Sequence, residues 1–245
     1  MTQLNMTRAF IVFFMILITG QVHAASTEHV VLLHGLARTS NSMNKLAKHL
    51  SNQGYQVVNI DYPSRKYQLS ELAKMVRKEV ISKTTGADKI HFVTHSMGGI
   101  IVRFMQKYDP LQNLGRVVML SPPNQGSEVV DFLNDMWFFE SINGPAGKQL
   151  GTGETSICRT LGKVIFELGI ITGDRSINWI NSFIIPGRDD GKVSIESAKV
   201  EGMADFLVVH VSHPFIMNDK TVMTQCVHFL RNGHFIKLRK STPPL

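Results

Sequence analysis

The sequence predicts an α/β protein built on a mainly parallel sheet with helices on both faces. Three observations point there. Predominantly apolar runs at 29–33, 90–93 and 116–120 have the length and composition of strands buried on both sides. Between them, apolar residues recur at helical spacing, as at Leu72, Met75, Val76 and Val80. The two kinds of segment then alternate along most of the chain.

Taken in order, residues 1–24 read as an export signal. Arg8 precedes the apolar run 9–19, and Val22 and Ala24 supply the small residues of a cleavage site. The run is shorter than the ~20 residues a membrane span needs. Cleavage after Ala24 is therefore expected, leaving a 25–245 domain that is periplasmic or secreted. Strand 29–33 comes first, followed by a helix over 42–50 that ends near Gly54. Strand 55–60 is stopped by Asp61 and Pro63, and Ser70 is placed to cap the next helix. Strand 90–93, a turn at Ser96 and helix 97–108 follow, and strand 116–120 ends at Pro122 and Pro123. From 131 to 180 the pattern is less regular. It holds Trp137, Phe138 and Phe139, then Gly144-Pro145-Ala146-Gly147, and is expected to form a small cap. Packing of the cap onto the sheet accounts for at least two of those aromatics; an acyl pocket is the other use for them. Strands are expected to resume at 182–185 and 206–209, with a closing helix from Pro214 to about Arg231. The 245 residues suffice for one sizeable core, and 43% hydrophobic with 18% charged residues exclude a disordered chain.

The chemistry concentrates at Val93-Thr94-His95-Ser96-Met97-Gly98. A serine on a sharp strand-to-helix turn is lifted clear of its neighbours, with the following backbone N–H groups aimed at the same spot. Small residues are needed where strand and helix backbones approach. Gly98 and Gly99 meet that need on the helix side, whereas Thr94 stands where the G-x-S-x-G pattern has its first glycine. A serine hydroxyl needs a base, normally an imidazole oriented by a carboxylate. In parallel sheets such groups gather beyond the carboxyl ends of the strands. His213 lies just past strand 206–209 and before a helix, unlike His210, His228 and His234. The carboxylate belongs after a strand and between serine and histidine in chain order. Asp190, beside Gly191, fits best; Asp189 is the alternative, and Asp205 is weaker because it precedes its strand. Two oxyanion-binding N–H groups are expected from Met97 and from Leu36, the latter on the loop His34-Gly35-Leu36 after the first strand. His34 is expected to shape that loop and His95 to pack beside the turn.

The remaining titratable residues suggest no metal centre. His91 and His95 are four apart on a strand-to-turn segment, where that spacing does not converge. Cys158 and Cys226 lack metal-ligand spacing. In an oxidising compartment they can pair, closing a long loop worth ~4 kcal/mol, or remain two separate thiols. The formal net charge of +7 is scattered apart from Arg231, Lys237, Arg239 and Lys240. No aromatic–basic interleaving suggests nucleic acid. The basic end is either a solvated tail or a transient contact with an anionic membrane surface.

With these residues in view, the chain resembles the secreted bacterial lipase-like α/β-hydrolases. The likeness is carried by H-G-L-A-R-T-S (34–40), T-H-S-M-G-G (94–99), P-P-N-Q-G-S-E (122–128), G-P-A-G (144–147), P-G-R-D-D-G-K-V-S-I-E-S (186–197) and V-S-H-P-F-I-M (211–217). It implies an α/β-hydrolase fold, a carboxylic ester hydrolase without cofactor, Ser96 as nucleophile, His213 as base, Asp190 as acid, and Leu36 and Met97 as oxyanion donors. The substrate would be a small-molecule or lipid ester. A thioesterase or acyltransferase would use the same three side chains, and a non-catalytic binding protein would need them misassembled.

Overall fold

The computed structural model describes residues 27–134, 139–177 and 179–237. The expected export signal lies outside them, as do Trp137 and Phe138. Strands β1 (Glu28–Leu33), β2 (Gln56–Ile60), β3 (Lys89–His95), β4 (Leu114–Leu120), β5 (Leu168–Gly173) and β6 (Asp205–Val209) form one sheet in the order β2-β1-β3-β4-β5-β6. Every pairing is parallel. All carboxyl ends therefore open onto one edge.

The sheet is covered on both faces because its strands are apolar on both. Val31 and Leu33 of β1 enter one core, with Val76 of α2 (Leu69–Lys83) and Ile101 of α3 (Met97–Tyr108). Val30 and Leu32 enter the other, with Leu46 of α1 (Asn44–Ser51) and Phe229 of the last helix (Lys220–Asn232). All four β1 side chains are fully buried, and each large apolar side chain so placed contributes roughly 1.5–3 kcal/mol. Helix α1 is preceded by a 3-10 turn at Ser40–Met43. Helix α2 starts one residue earlier than its expected cap: Gln68 and Glu71 form a reciprocal capping box there, so Ser70 lies inside the helix.

Between β4 and β5 the chain forms α4 (Glu128–Asn134), α5 (Phe139–Lys148, two pieces joined at Gly144) and α6 (Ile157–Thr160). Then come α7 (Trp179–Ile184), α8 (Ile195–Ala198) and, after a 3-10 turn at His213–Asn218, the last helix α9. Two expectations are corrected here. Residues 182–185 are not a strand; α7 takes up 182–184. The fifth strand is Leu168–Gly173, inside the stretch assigned to the cap. It pairs through Leu168–Ile171 with Val117–Leu120 of β4, and its glycine is the reason it does not read as a strand. A Cβ on Gly169 would lie 2.5 Å from the Phe229 ring, so the glycine lets α9 press onto the sheet. The part of the expected cap that stands over the sheet edge is thus confined to the helices before β5.

Cys158 is buried in the α3 core and Cys226 in the α9 core, on opposite faces of the sheet; both are free thiols. Burial pushes Cys158 up to about 12 and Cys226 higher still, so neither is a reactive thiolate.

Candidate active site

Ser96 follows β3 directly and opens α3. Its backbone is held in the left-handed region at φ 52°, a conformation that costs a non-glycine residue about 1–3 kcal/mol. Close packing enforces it. Ser96 N–H donates to Leu120 O at 2.8 Å, and its carbonyl accepts from Gly99 N–H at 3.0 Å. A Cβ on Gly98 would meet Leu33 O at 2.8 Å and His34 O at 2.9 Å, so β1 and α3 approach as only a glycine allows. Thr94 is fully buried within β3 opposite Met119, and its hydroxyl has no hydrogen-bond partner.

The loop after β1 passes against this turn. A Cβ on Gly35 would sit 3.1 Å from the Ser96 Cβ and 2.8 Å from His95 Nδ1. Leu36 and Ser96 line one cleft, and Met97 takes the first position of α3, where backbone N–H groups lack partners within the helix. His34 supports the loop from below. Its ring stacks on Tyr62 at 4.1 Å, Nδ1 donates to Gly35 O at 2.8 Å, and Nε2 accepts from Tyr62 N–H at 3.3 Å. The Tyr62 hydroxyl closes the circuit on His34 O. Burial lowers the His34 pKa, which suits this neutral tautomer.

His213 and Asp190 are brought together. His213 Nδ1 lies 2.8 Å from Asp190 Oδ2, and His213 N–H donates to Asp190 O at 2.9 Å. The other carboxylate oxygen, Oδ1, accepts from Lys192 N–H at 3.0 Å and Val193 N–H at 2.9 Å. Burial works to raise the Asp190 pKa. The His213 imidazole and the hydrogen bonds from His213 and Val193 outweigh it and hold the carboxyl below its ordinary range. Asp190 does not directly follow a strand in sequence, because α7 intervenes. It reaches the sheet edge in space: a Cβ on Gly173, the last residue of β5, would lie 3.0 Å from the Asp190 Cβ. No local pattern in the sequence marks that glycine.

The alternatives go elsewhere. Asp189 Oδ1 accepts from Ser182 Oγ at 2.8 Å and Gly191 N–H at 2.6 Å, shaping the turn. Asp205 accepts from Phe235 N–H at 2.7 Å at the start of β6, the opposite end of the sheet. His210 pairs with Asp174, and His228 meets His234 O at 2.8 Å on α9. His95 packs against His213, with ring centroids 4.8 Å apart, and its Nε2 meets His213 O at 3.2 Å. Desolvation, and the His213 and Arg38 charges after it, push its pKa well below the usual histidine value.

Ser96, His213 and Asp190 line one cleft of about 480 Å³. Val129, Val130 and Leu133 of α4, Ile142 of α5 and Leu150 form an apolar wall facing them. Among the described residues, no group of three or more His, Cys, Asp or Glu could hold a metal ion.

Residues 28–149 match the sequence model of the alpha/beta hydrolase fold. The chain superposes on phospholipase PlaB from Legionella pneumophila with a TM-score of 0.69 at 20% identity, covering 85% of this chain and 60% of that one. The chain has the α/β-hydrolase fold. The mature Bacillus licheniformis lipase BlEst2 gives a TM-score of 0.66, again at 20% identity, covering 84% of this hydrolase-fold chain and 93% of that one. Curated relatives include a triacylglycerol lipase from Burkholderia plantarii, 30% identical over 134 residues, and the lysosomal thioesterase PPT2-B of Xenopus laevis, 29% identical over 111 residues. The matches cover 49% and 42% of this chain but only 36% and 38% of those relatives' own lengths.

Proposed function

We propose that this α/β-hydrolase cleaves carboxylic esters through an acyl-enzyme. The observation that carries the reading is the buried His213–Asp190 pair on the same cleft as the strained Ser96 turn. Asp190 accepts the Nδ1 proton of His213, which leaves Nε2 as the basic nitrogen. Ser96 Oγ attacks the ester carbonyl while His213 takes its proton. The carbonyl oxygen becomes an oxyanion held by the N–H groups of Leu36 and Met97; losing one such donor typically costs ~3–4 kcal/mol of barrier. The protonated imidazole then gives its proton to the leaving alcohol. Water, deprotonated by the same nitrogen, attacks the acyl-serine and releases the acid. The apolar wall of α4 and α5 suits an acyl chain.

Labelling with a fluorophosphonate probe tests the nucleophile. The wild-type protein should label and the Ser96→Ala variant should not. An unlabelled wild-type protein would favour a binding role on a hydrolase scaffold. The thioesterase relative supports a second reading with the same three side chains, and an acyltransferase would differ only in its acceptor. Comparing p-nitrophenyl esters with acyl-thioesters of equal chain length separates the first of these. Adding an acceptor alcohol and analysing products separates the second. We also infer export, with cleavage near Ala24 to a periplasmic or secreted form. The intact mass of protein recovered from cell fractions tests it, and a retained Arg8 segment would count against it.

A further inference from the structure

The cleft carries two cations that this reaction does not use. Arg38 lies two residues beyond Leu36, and Lys192 lies two residues beyond Asp190, so each rides on a loop that supplies the site. Both line the cleft with Ser96 and His213. Neither forms an ion pair within the described residues: the ion-pairing lysines and arginines are Arg77, Lys83, Arg116, Lys148, Arg188 and Lys199. Among the described residues Arg38 donates to the Pro214 carbonyl alone, at 3.4 Å. The Lys192 backbone is engaged by Asp190 and Ser127, while its ammonium has no described partner. Asp190 is the one carboxylate among the described lining residues, and His213, Lys192 N–H and Val193 N–H already occupy its oxygens. The cations are close enough to interact: desolvation lowers the Lys192 pKa and the Arg38 charge lowers it further, against a smaller opposing pull from Asp190. Two like charges lining one cleft raise the local affinity for an anion. The Arg38 fork and the Lys192 point charge both match phosphate and carboxylate oxygens.

We infer that the cleft selects amphiphilic esters that carry an anionic group, phosphate or carboxylate, near the scissile carbonyl: Arg38 and Lys192 seat the anion, and the α4–α5 wall takes the apolar chain. This rests on the ester-hydrolase reading above and narrows its substrate class. The anion can belong to the alcohol, as in a phosphoglycerol headgroup, or to the acyl part, as in a dicarboxylate half-ester.

Two matched pairs distinguish these sources. One compares 1-butyryl-glycerol with 1-butyryl-glycerol-3-phosphate; the other compares 4-nitrophenyl valerate with mono-4-nitrophenyl glutarate. In at least one pair kcat/KM for the anionic member should exceed that of its neutral match at least about tenfold at low salt, the preference shrinking as salt screens it. The anionic-to-neutral ratio should collapse in Arg38→Gln and Lys192→Gln and return in Arg38→Lys and Lys192→Arg. A ratio near one in both pairs, or a ratio unchanged by either neutral substitution, overturns the inference and leaves the hydrolase reading standing. Absence of fluorophosphonate labelling at Ser96 removes the hydrolase reading, and the inference with it.

Discussion

Replacing Asp190 with asparagine separates where the His213 proton sits from everything else the carboxylate does. The hydrogen bonds dictate the outcome. Oδ1 accepts from two backbone donors, Lys192 N–H and Val193 N–H, whereas Oδ2 faces His213 Nδ1 alone. An asparagine must keep its carbonyl oxygen toward the two N–H groups, because its NH2 there would meet two donors. The NH2 then points at His213 Nδ1 and obliges that nitrogen to accept. The ring proton moves to Nε2, the nitrogen that should take the Ser96 proton. Loss of this kind runs to about 10⁴-fold in kcat, equivalent to ~5.5 kcal/mol of barrier. Shape is conserved and the backbone hydrogen bonds survive, so the folded state should lose only about 1–3 kcal/mol. The assay is kcat and KM on a p-nitrophenyl ester, with active-site counting by fluorophosphonate and a urea titration to verify folding. Asp189→Asn is the control, since its amide oxygen can still accept from Ser182 and Gly191; its rate should stay near wild type. An Asp190→Asn variant within tenfold of wild type, or an Asp189→Asn variant equally impaired, would refute the reasoning.

Three further outcomes follow from the same packing. Gly98→Ala drives a Cβ against the Leu33 and His34 carbonyls at 2.8 and 2.9 Å; overpacking of this kind costs about 1–3 kcal/mol, so Tm should fall and kcat drop with it, and an unchanged Tm would contradict the close approach. Stability should decline with acid well before the carboxylates titrate. Burial holds the pKa values of His34, His91 and His95 below the unfolded value of 6.5, so the unfolded chain binds protons first. Stability is therefore full above about pH 6.5 and falls below it, by roughly 1.4 kcal/mol per pH unit for each histidine still neutral in the fold. Urea midpoints at pH 7.5, 6.5 and 5.5 measure this, and a flat profile would count against neutral buried rings. Ellman's reagent should find two thiols, Cys158 and Cys226, only after denaturation, with no shift in Tm on adding reductant; a reductant-sensitive Tm would indicate a disulfide instead.

Much of this molecule was legible in its sequence because the relevant forces are local. The apolar run of β3, the turn at Ser96 and the glycines Gly98 and Gly99 lie within eleven residues, and the steric demand of a strand turning into a helix is written into them. The same rule pointed to the loop after β1 and the histidine after β6, and both line the cleft that holds Ser96, since a parallel sheet sends every carboxyl end to one edge. Position relative to a strand was enough to put His213, rather than His210 or His228, on that cleft.

What only the tertiary structure decided was which segment became the fifth strand, and by what route Asp190 reaches His213. Two short apolar runs, at 168–171 and 182–185, compete, and four residues do not distinguish a strand from a helix. The run containing Gly169 occupies the slot beside β4 because its missing side chain admits the Phe229 ring of α9, a contact sixty residues away that no local pattern encodes. The same holds for Asp190, set beside His213 through the bare backbone of Gly173, and for Arg38 and Lys192, distant in sequence and neighbours in the cleft. Local sterics and periodicity are encoded residue by residue. Contacts between distant segments depend on the shape that both present after folding, and only the folded chain has that shape.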